Sequence, residues 1–361
     1  MDLSQNHCFA PWKSLSVKGS KIGTVCCASA SSFVIDSWLN VKESSYFRDL
    51  QAQTLNTNWP QECTTCRKLR DNKLISRKDF FDKRLSLDTN HEIEWLEVNI
   101  GNHCNYSCVM CNNEFSTQWH KLGSLHHFIA SPVPDHYRLS KDDIDDLIRL
   151  IQQNPIKSID IQGGEPFVIP ETEYFLEQLE TVGYSGTVLI VTNGSKITNK
   201  LLRFLTSKMH VMITVSIDCI DPDLYKIIRS PTVPFSVIEK NIELLASLSD
   251  NIELNAVMMN LNAYSYNNMD EFSMSKVNKP LRVNWINRPK FLQLNALSPT
   301  RKQRSLEILH QSSHKGMYYE RINSAISLDV KPEITVEFED YMKEFCRLKS
   351  VSLDNWQLGN S

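Results

Sequence analysis

Trp95-Leu96-Glu97-Val98-Asn99-Ile100 alternates apolar and polar residues as a half-buried strand does. Three residues later it meets Cys104-Asn105-Tyr106-Ser107-Cys108-Val109-Met110-Cys111. A strand delivering a cysteine loop orders everything downstream. Further strands read at residues 158–161, 187–191, 211–217 and 252–258. Helical stripes separate them over 142–152, 172–181, 201–205 and 237–248. The first stripe places Ile144, Leu147, Ile148 and Ile151 on one face. Strands alternating with helices imply right-handed parallel units. The expected fold class is therefore α/β: a partial (β/α)6-type parallel barrel with a small cysteine-rich metal-binding module before it.

Outward from that core the pattern weakens. Residues 282–286 and 290–294 read as strands, and 304–310, 324–328 and 338–348 as helices. In the N-terminal part, 15–17 and 23–26 read as a hairpin around Gly19, 38–50 as a helix, and 69–87 as a basic helical connector. Few long periodic runs occur there, so this part is expected to have little core and to draw folding free energy from a metal. The expected organisation is a metal module over 1–90, a barrel over 91–295 and a helical extension over 296–361.

The 361 residues are 41% hydrophobic and 22% charged, an ordinary globular balance. A net charge of -3 argues against a broad basic face for nucleic acid. No apolar run approaches the ~18 residues of a membrane span, and Met1–Cys8 lacks the charge and apolar core of a signal peptide. A cytoplasmic protein is expected. The ten cysteines are clustered, which in such a chain points to metal or redox chemistry rather than a disulfide framework.

Cys104, Cys108 and Cys111 have the spacing C-x3-C-x2-C. Three thiolates on one tight loop can take three irons of a cubane and leave the fourth open to a small molecule. The competing readings are a zinc site missing its fourth ligand and buried packing cysteines. The triplet after a first strand resembles the cluster loop of the radical S-adenosylmethionine (SAM) superfamily. That resemblance implies a [4Fe-4S] cluster whose open iron holds the methionyl group of SAM. One electron would then cleave SAM to methionine and a 5′-deoxyadenosyl radical, which abstracts hydrogen from substrate. Met110 stands where many members place an aromatic residue beside the adenine.

Other strand ends carry further likenesses. Gly163-Gly164-Glu165-Pro166 matches the superfamily's GGEP motif, with Glu165 facing the methionyl ammonium. Ser216 and Asp218 fall where members place polar groups on the SAM ribose or carboxylate, and Arg229 resembles the arginine paired with that carboxylate. Read alone, Arg229 would be a solvated helix charge. Asn193 could bond within the site or serve a left-handed turn. Val257 and Asn260 could pack and cap the adenine. Active sites of parallel barrels gather at these carboxyl ends.

Cys8-x2-Pro11-Trp12, Cys26-Cys27 and Cys63-x2-Cys66 resemble the auxiliary-cluster modules called SPASM and twitch, here placed before the barrel. The ligands implied are Cys8, Cys63, Cys66 and one of Cys26 or Cys27, for an auxiliary iron–sulfur cluster or, less favoured, zinc. Cys219 and Cys346 read as small buried hydrophobes, Cys219 alternatively as a hydrogen-atom donor. The resemblance implies a small-molecule or peptide substrate and an electron donor such as flavodoxin or ferredoxin. The rival function is a non-catalytic zinc or iron–sulfur interaction module.

Overall fold

The structure, a computed structural model, describes residues 8–19, 21–56, 59–71, 76–129, 136–286 and 288–352. The chain forms two compact units. The first comprises Met1–Asn102, Tyr137–Ile190 and Ser207–Val211; the second comprises His103–His136, Val191–Thr206 and Met212–Ser361.

Six strands lie wholly or mostly in the first unit: β1 (Ser14–Lys18), β2 (Ile22–Thr24), β3 (Phe33–Val34), β4 (Trp95–Asn99), β5 (Ser158–Gln162) and β6 (Thr187–Thr192). Their order is β3-β2-β1-β4-β5-β6. β1, β4, β5 and β6 run parallel, and β2 and β3 fold back antiparallel. Leu15, Leu96, Ile159 and Val188 stand in register and are fully buried. Each such side chain is worth about 1.5–3 kcal/mol of burial. The opposite face carries polar residues in register, Ser16 with Glu97 and Asp160, then Lys18 with Asn99 and Gln162.

Helix Lys141–Gln152 connects β4 to β5. Ser140 caps it, accepting from the Asp143 amide at 3.1 Å, and its apolar stripe is buried as the periodicity requires.

The parallel strands β7 (His210–Ser216), β8 (Ile252–Met258) and β9 (Arg282–Trp285), in that order, lie wholly or mostly in the second unit. Among the described residues, β3 in the first unit and β9 in the second each have a strand on one side only. The fold is α/β with parallel strands, as expected. No described helix is long and apolar enough to cross a membrane.

The structure corrects several readings. The N-terminal segment has a core, with Leu15, Val17, Val25, Phe47, Leu50 and Phe81 all buried. Its source is the parallel pairing of β1 with β4, a contact between residues some eighty apart that local periodicity cannot reveal. Among the described residues of 69–87, the first helix, Thr64–Asp71, ends at Asp71 and a second runs over Arg77–Phe81, while residues 72–75 lie outside the described residues. Ser76 starts the second, its amide and hydroxyl meeting the Asp79 carboxylate at 2.7 and 2.5 Å. The helix expected over 38–50 begins later, at Ser45–Leu55, because Ser44 is extended. Residues 290–294 are no strand: Lys290–Leu292 is a 3-10 turn after Pro289, which has no amide to donate to a sheet.

Candidate metal centre and cofactor site

In the second unit Cys104, Cys108 and Cys111 share one loop, with Cys104 buried and the other two half-buried. The Cys111 amide donates to the Cys108 carbonyl at 2.9 Å, which closes the turn. The Val109 amide donates to the Ile228 carbonyl at 2.8 Å. Trp119 Nε1 donates to the Cys108 carbonyl at 3.1 Å, and the Ser116 hydroxyl to the Tyr106 carbonyl at 2.5 Å. Burial pushes the Cys111 thiol well up, and the neighbouring Cys108 and Cys104 add to it. Three thiols on one loop that disfavour each other's charge are a donor set suited to cationic iron.

Beside them lies a buried ion pair. Arg229 Nη1 meets Asp218 Oδ2 at 2.6 Å, with Asp218 fully buried. Burial raises the Cys108 thiol, and the Arg229 charge opposes that rise. Asp218 sits at φ +53°. Its Oδ1 accepts from the Val257 amide at 2.6 Å and its carbonyl from Asn262 Nδ2 at 2.7 Å. The structure thus gives the guanidinium of Arg229 to Asp218, a partner the sequence did not suggest. Ser216, at the end of β7, and Val257, in β8, are both half-buried.

Asn193 does two things. Its Oδ1 accepts from the Ser195 amide at 2.8 Å, forming an Asx turn, and its Nδ2 donates to Asn105 Oδ1 of the cysteine loop at 2.9 Å. The left-handed residue is Gly194, at φ +71°. Asn260 is corrected. It is fully buried and its Nδ2 donates to the carbonyls of Phe291 and Ala296, which makes it a fastener of that loop instead of an adenine cap. Cys219 is buried in the core, as read from the sequence, and burial pushes its thiol up to about 12. Met110 is half-buried on its loop.

The Gly163–Pro166 turn lies in the first unit. Gly163 has φ +130°, and a Cβ there would stand 2.2 Å from Asn99 Oδ1 and 2.7 Å from the Gly101 carbonyl. Gly164 donates to that same carbonyl at 2.9 Å. Buried Glu165 caps the turn Pro166–Val168, its Oε1 accepting from the Phe167 amide at 3.2 Å. Gly163→Ala is expected to cost about 1–3 kcal/mol from backbone conformation alone, more with the clash. A drop in melting temperature would show it.

The N-terminal cysteines also lie in the first unit. Cys8, Cys26, Cys63 and Cys66 line one cavity, with Arg77 and Lys78 in its wall. Burial pushes the Cys8 and Cys63 thiols up to about 12. Cys27 is outside this lining and exposed; its amide donates to Glu97 Oε2 at 2.6 Å. Glu97 is also ion-paired with Arg77. Lys42 is buried and donates to the carbonyls of Ser14 at 2.5 Å and Pro11 at 3.2 Å, holding the Cys8 turn. Among the described residues no three His, Cys, Asp or Glu side chains converge tightly enough for a single metal ion.

The sequence profile described as the Radical SAM superfamily matches residues 98–272, the span from the end of β4 through the cysteine loop, the Gly163–Pro166 turn, the Asp218–Arg229 pair and β8 into the helix Tyr266–Val277. Residues 98–272 are a radical SAM domain. The chain is similar in sequence to the GTP 3′,8-cyclase of Alkaliphilus metalliredigens, 25% identical over 194 residues, 54% of this chain and 56% of that protein. It is likewise similar to the probable GTP 3′,8-cyclase of Thermococcus kodakarensis, 26% identical over 179 residues, 49% and 52% of the two chains. The chain spans about half the length of these curated relatives. Among solved structures it is similar to Streptococcus suis SuiB bound to precursor peptide SuiA, with 13% identity, a TM-score of 0.43, and 86% of this chain and 53% of that chain covered. For anSMEcpe with bound AdoMet the values are 16%, 0.46, 65% and 60%.

Asn105, Trp119 and Asn262, which brace the cysteine loop and Asp218, escaped the sequence reading. Asn105 fills a spacer position of C-x3-C, where the spacing leaves the residue type open, and Trp119 and Asn262 belong to no spaced motif.

Proposed function

We propose that the chain is a radical SAM enzyme that reductively cleaves SAM and acts on a small-molecule or peptide substrate. The observation carrying this is the pinned loop that bears three thiols, and no fourth cysteine of that motif, within a radical SAM domain. When bound, a [4Fe-4S] cluster with one open iron supplies the electron that cleaves SAM to methionine and a 5′-deoxyadenosyl radical.

The chain's own residues do the holding. Cys104, Cys108 and Cys111 would ligate three irons. Asp218, oriented by Arg229 and the Val257 amide, fixes the end of β7, so Ser216 and Val257 keep their places for the nucleoside. Asn193 ties its turn to Asn105 of the cysteine loop. Met110 would pack on the adenine. The roles of Gly163, Gly164, Glu165 and Pro166 toward the methionyl group rest on the motif alone. Flavodoxin or ferredoxin is the proposed electron donor, and the cytoplasm the proposed compartment.

The test is anaerobic reconstitution with iron and sulfide, followed by dithionite and SAM. Formation of 5′-deoxyadenosine and methionine is expected. A protein that loads a cubane yet yields neither would end the proposal, and zinc without sulfide would favour the interaction module.

The N-terminal cavity is proposed to hold an auxiliary iron–sulfur cluster on Cys8, Cys26, Cys63 and Cys66. Sulfurs about one zinc ion lie about 3.8 Å apart, given Zn–S bonds of about 2.3 Å in a tetrahedron. A cubane spreads its four thiolates over four irons, which suits thiols lining a cavity. Cys26→Ser should therefore lose about four iron per chain relative to the parent, whereas Cys27→Ser should lose none. Equal iron loss in the two variants would refute the ligand choice.

A further inference from the structure

The C-terminal helix Pro332–Lys349 lies beyond the residues matched by the radical SAM profile, yet it reaches the cysteine loop at two points. Tyr341 Oη donates to the Val109 carbonyl at 2.5 Å, inside Cys108-Val109-Met110-Cys111. Lys349 Nζ donates to Ser107 Oγ at 2.6 Å, one residue before Cys108. The helix is also packed there. Phe345 approaches Trp119 with ring centroids 6.2 Å apart, and Trp119 itself donates to the Cys108 carbonyl. Tyr341 is fully buried, tilted against Phe291 at 4.7 Å and edge-on to Phe128 at 5.4 Å. Glu344 accepts from the Ser124 hydroxyl at 2.7 Å on the same side.

A loop that must present three thiolates to one cluster is stabilised by whatever fixes its peptide planes. The carbonyls of Cys108 and Val109 are consecutive, and each is taken by an aromatic side chain, Trp119 and Tyr341. With the Val109 amide bound to Ile228, the Cys108–Val109 peptide is held on both sides, and the Val109–Met110 peptide is held by its carbonyl. A trans peptide held by its carbonyl oxygen has its N–H directed the opposite way. Tyr341 therefore also sets the direction of the Met110 amide. We infer that Tyr341 and Lys349 are positioning residues for the cluster on the Cys104–Cys111 loop, so the C-terminal helix is a working part of that site. This rests on the function proposed above.

The test uses full-length parent, Tyr341→Phe and Lys349→Met, each reconstituted anaerobically. Three quantities are read: the SAM-responsive EPR signal, its midpoint potential, and the rate at which the cluster bleaches in air. Metal-free melting temperature serves as the folding control. Expected for both variants is bleaching about tenfold faster, with a displaced potential and near-parental metal-free melting. Tyr341→Phe keeps the ring packing, so its effect isolates the hydroxyl. Bleaching and EPR signal identical to the parent in both variants would overturn the inference, as would a change confined to metal-free melting. If the parent itself shows no SAM-responsive signal, the proposed function falls and this inference with it. A parental signal with indifferent variants sinks this inference alone.

Discussion

Cys108→Ala should lower 5′-deoxyadenosine formation to background, a loss of at least about 100-fold, with little change in folded structure. The magnitude follows from the coordination arithmetic. Losing a residue that merely supports a ligand costs about 10- to 100-fold in metal affinity, and losing a ligand costs more. Two thiolates cannot hold a cubane with a single open iron. The fold should survive because the loop's shape does not depend on that sulfur. Its bonds run through the Cys108 carbonyl, which accepts from Cys111 and Trp119, and through the Val109 amide. Circular dichroism and thermal melting of the metal-free variant check the fold; product quantification after anaerobic reconstitution checks the chemistry. Substantial 5′-deoxyadenosine from this variant would mean the reactive cluster lies elsewhere.

Arg229→Met is expected to destabilise the protein by about 3–5 kcal/mol, the cost of leaving one partner of a buried ion pair unmatched. The Asp218 carboxylate would keep only the Val257 amide on its side chain among the bonds described. Urea denaturation measures it as a fall in midpoint with little change in slope. The double variant Asp218→Asn with Arg229→Met should recover part of the loss, since removing both charges removes the imbalance. The same experiment separates two roles. If Arg229 chiefly serves the SAM carboxylate, the single variant lowers SAM affinity and leaves the urea midpoint alone. The 2.6 Å pairing with Asp218 predicts the opposite balance.

Much of the architecture was legible because the barrel strands obey local rules. β4, β5, β6, β7 and β8 are short apolar or alternating runs, and their limits were read to within a residue or two. Legibility failed where a distant partner decides the conformation. β1 joins β4 in parallel, and nothing within residues 14–18 announces it. Residues 69–87 carry helix-forming composition throughout, but Ser76 with Asp79 offers a cap stronger than continuation.

The site divides in the same way. The C-x3-C-x2-C spacing and the Gly163 turn speak for themselves, because thiol spacing and a positive φ leave marks in one dimension. The choice of Cys26 over Cys27 does not: adjacent residues of the same type differ only in which one the folded chain turns toward the cavity. The partner of Arg229 is likewise set eleven residues away, where Asp218 meets it after the helix Pro222–Arg229 has turned back.

The union of β1 with β4 also governs what can be trimmed from this chain. Excising the cysteine-rich leader to obtain a minimal catalytic fragment would strip the covering from one flank of β4 along Trp95–Asn99, baring a row of amides and carbonyls now occupied. Bare flanks of that kind recruit strands from other molecules. Such a fragment should therefore clump on expression, even with every cysteine of the Cys104–Cys111 loop intact.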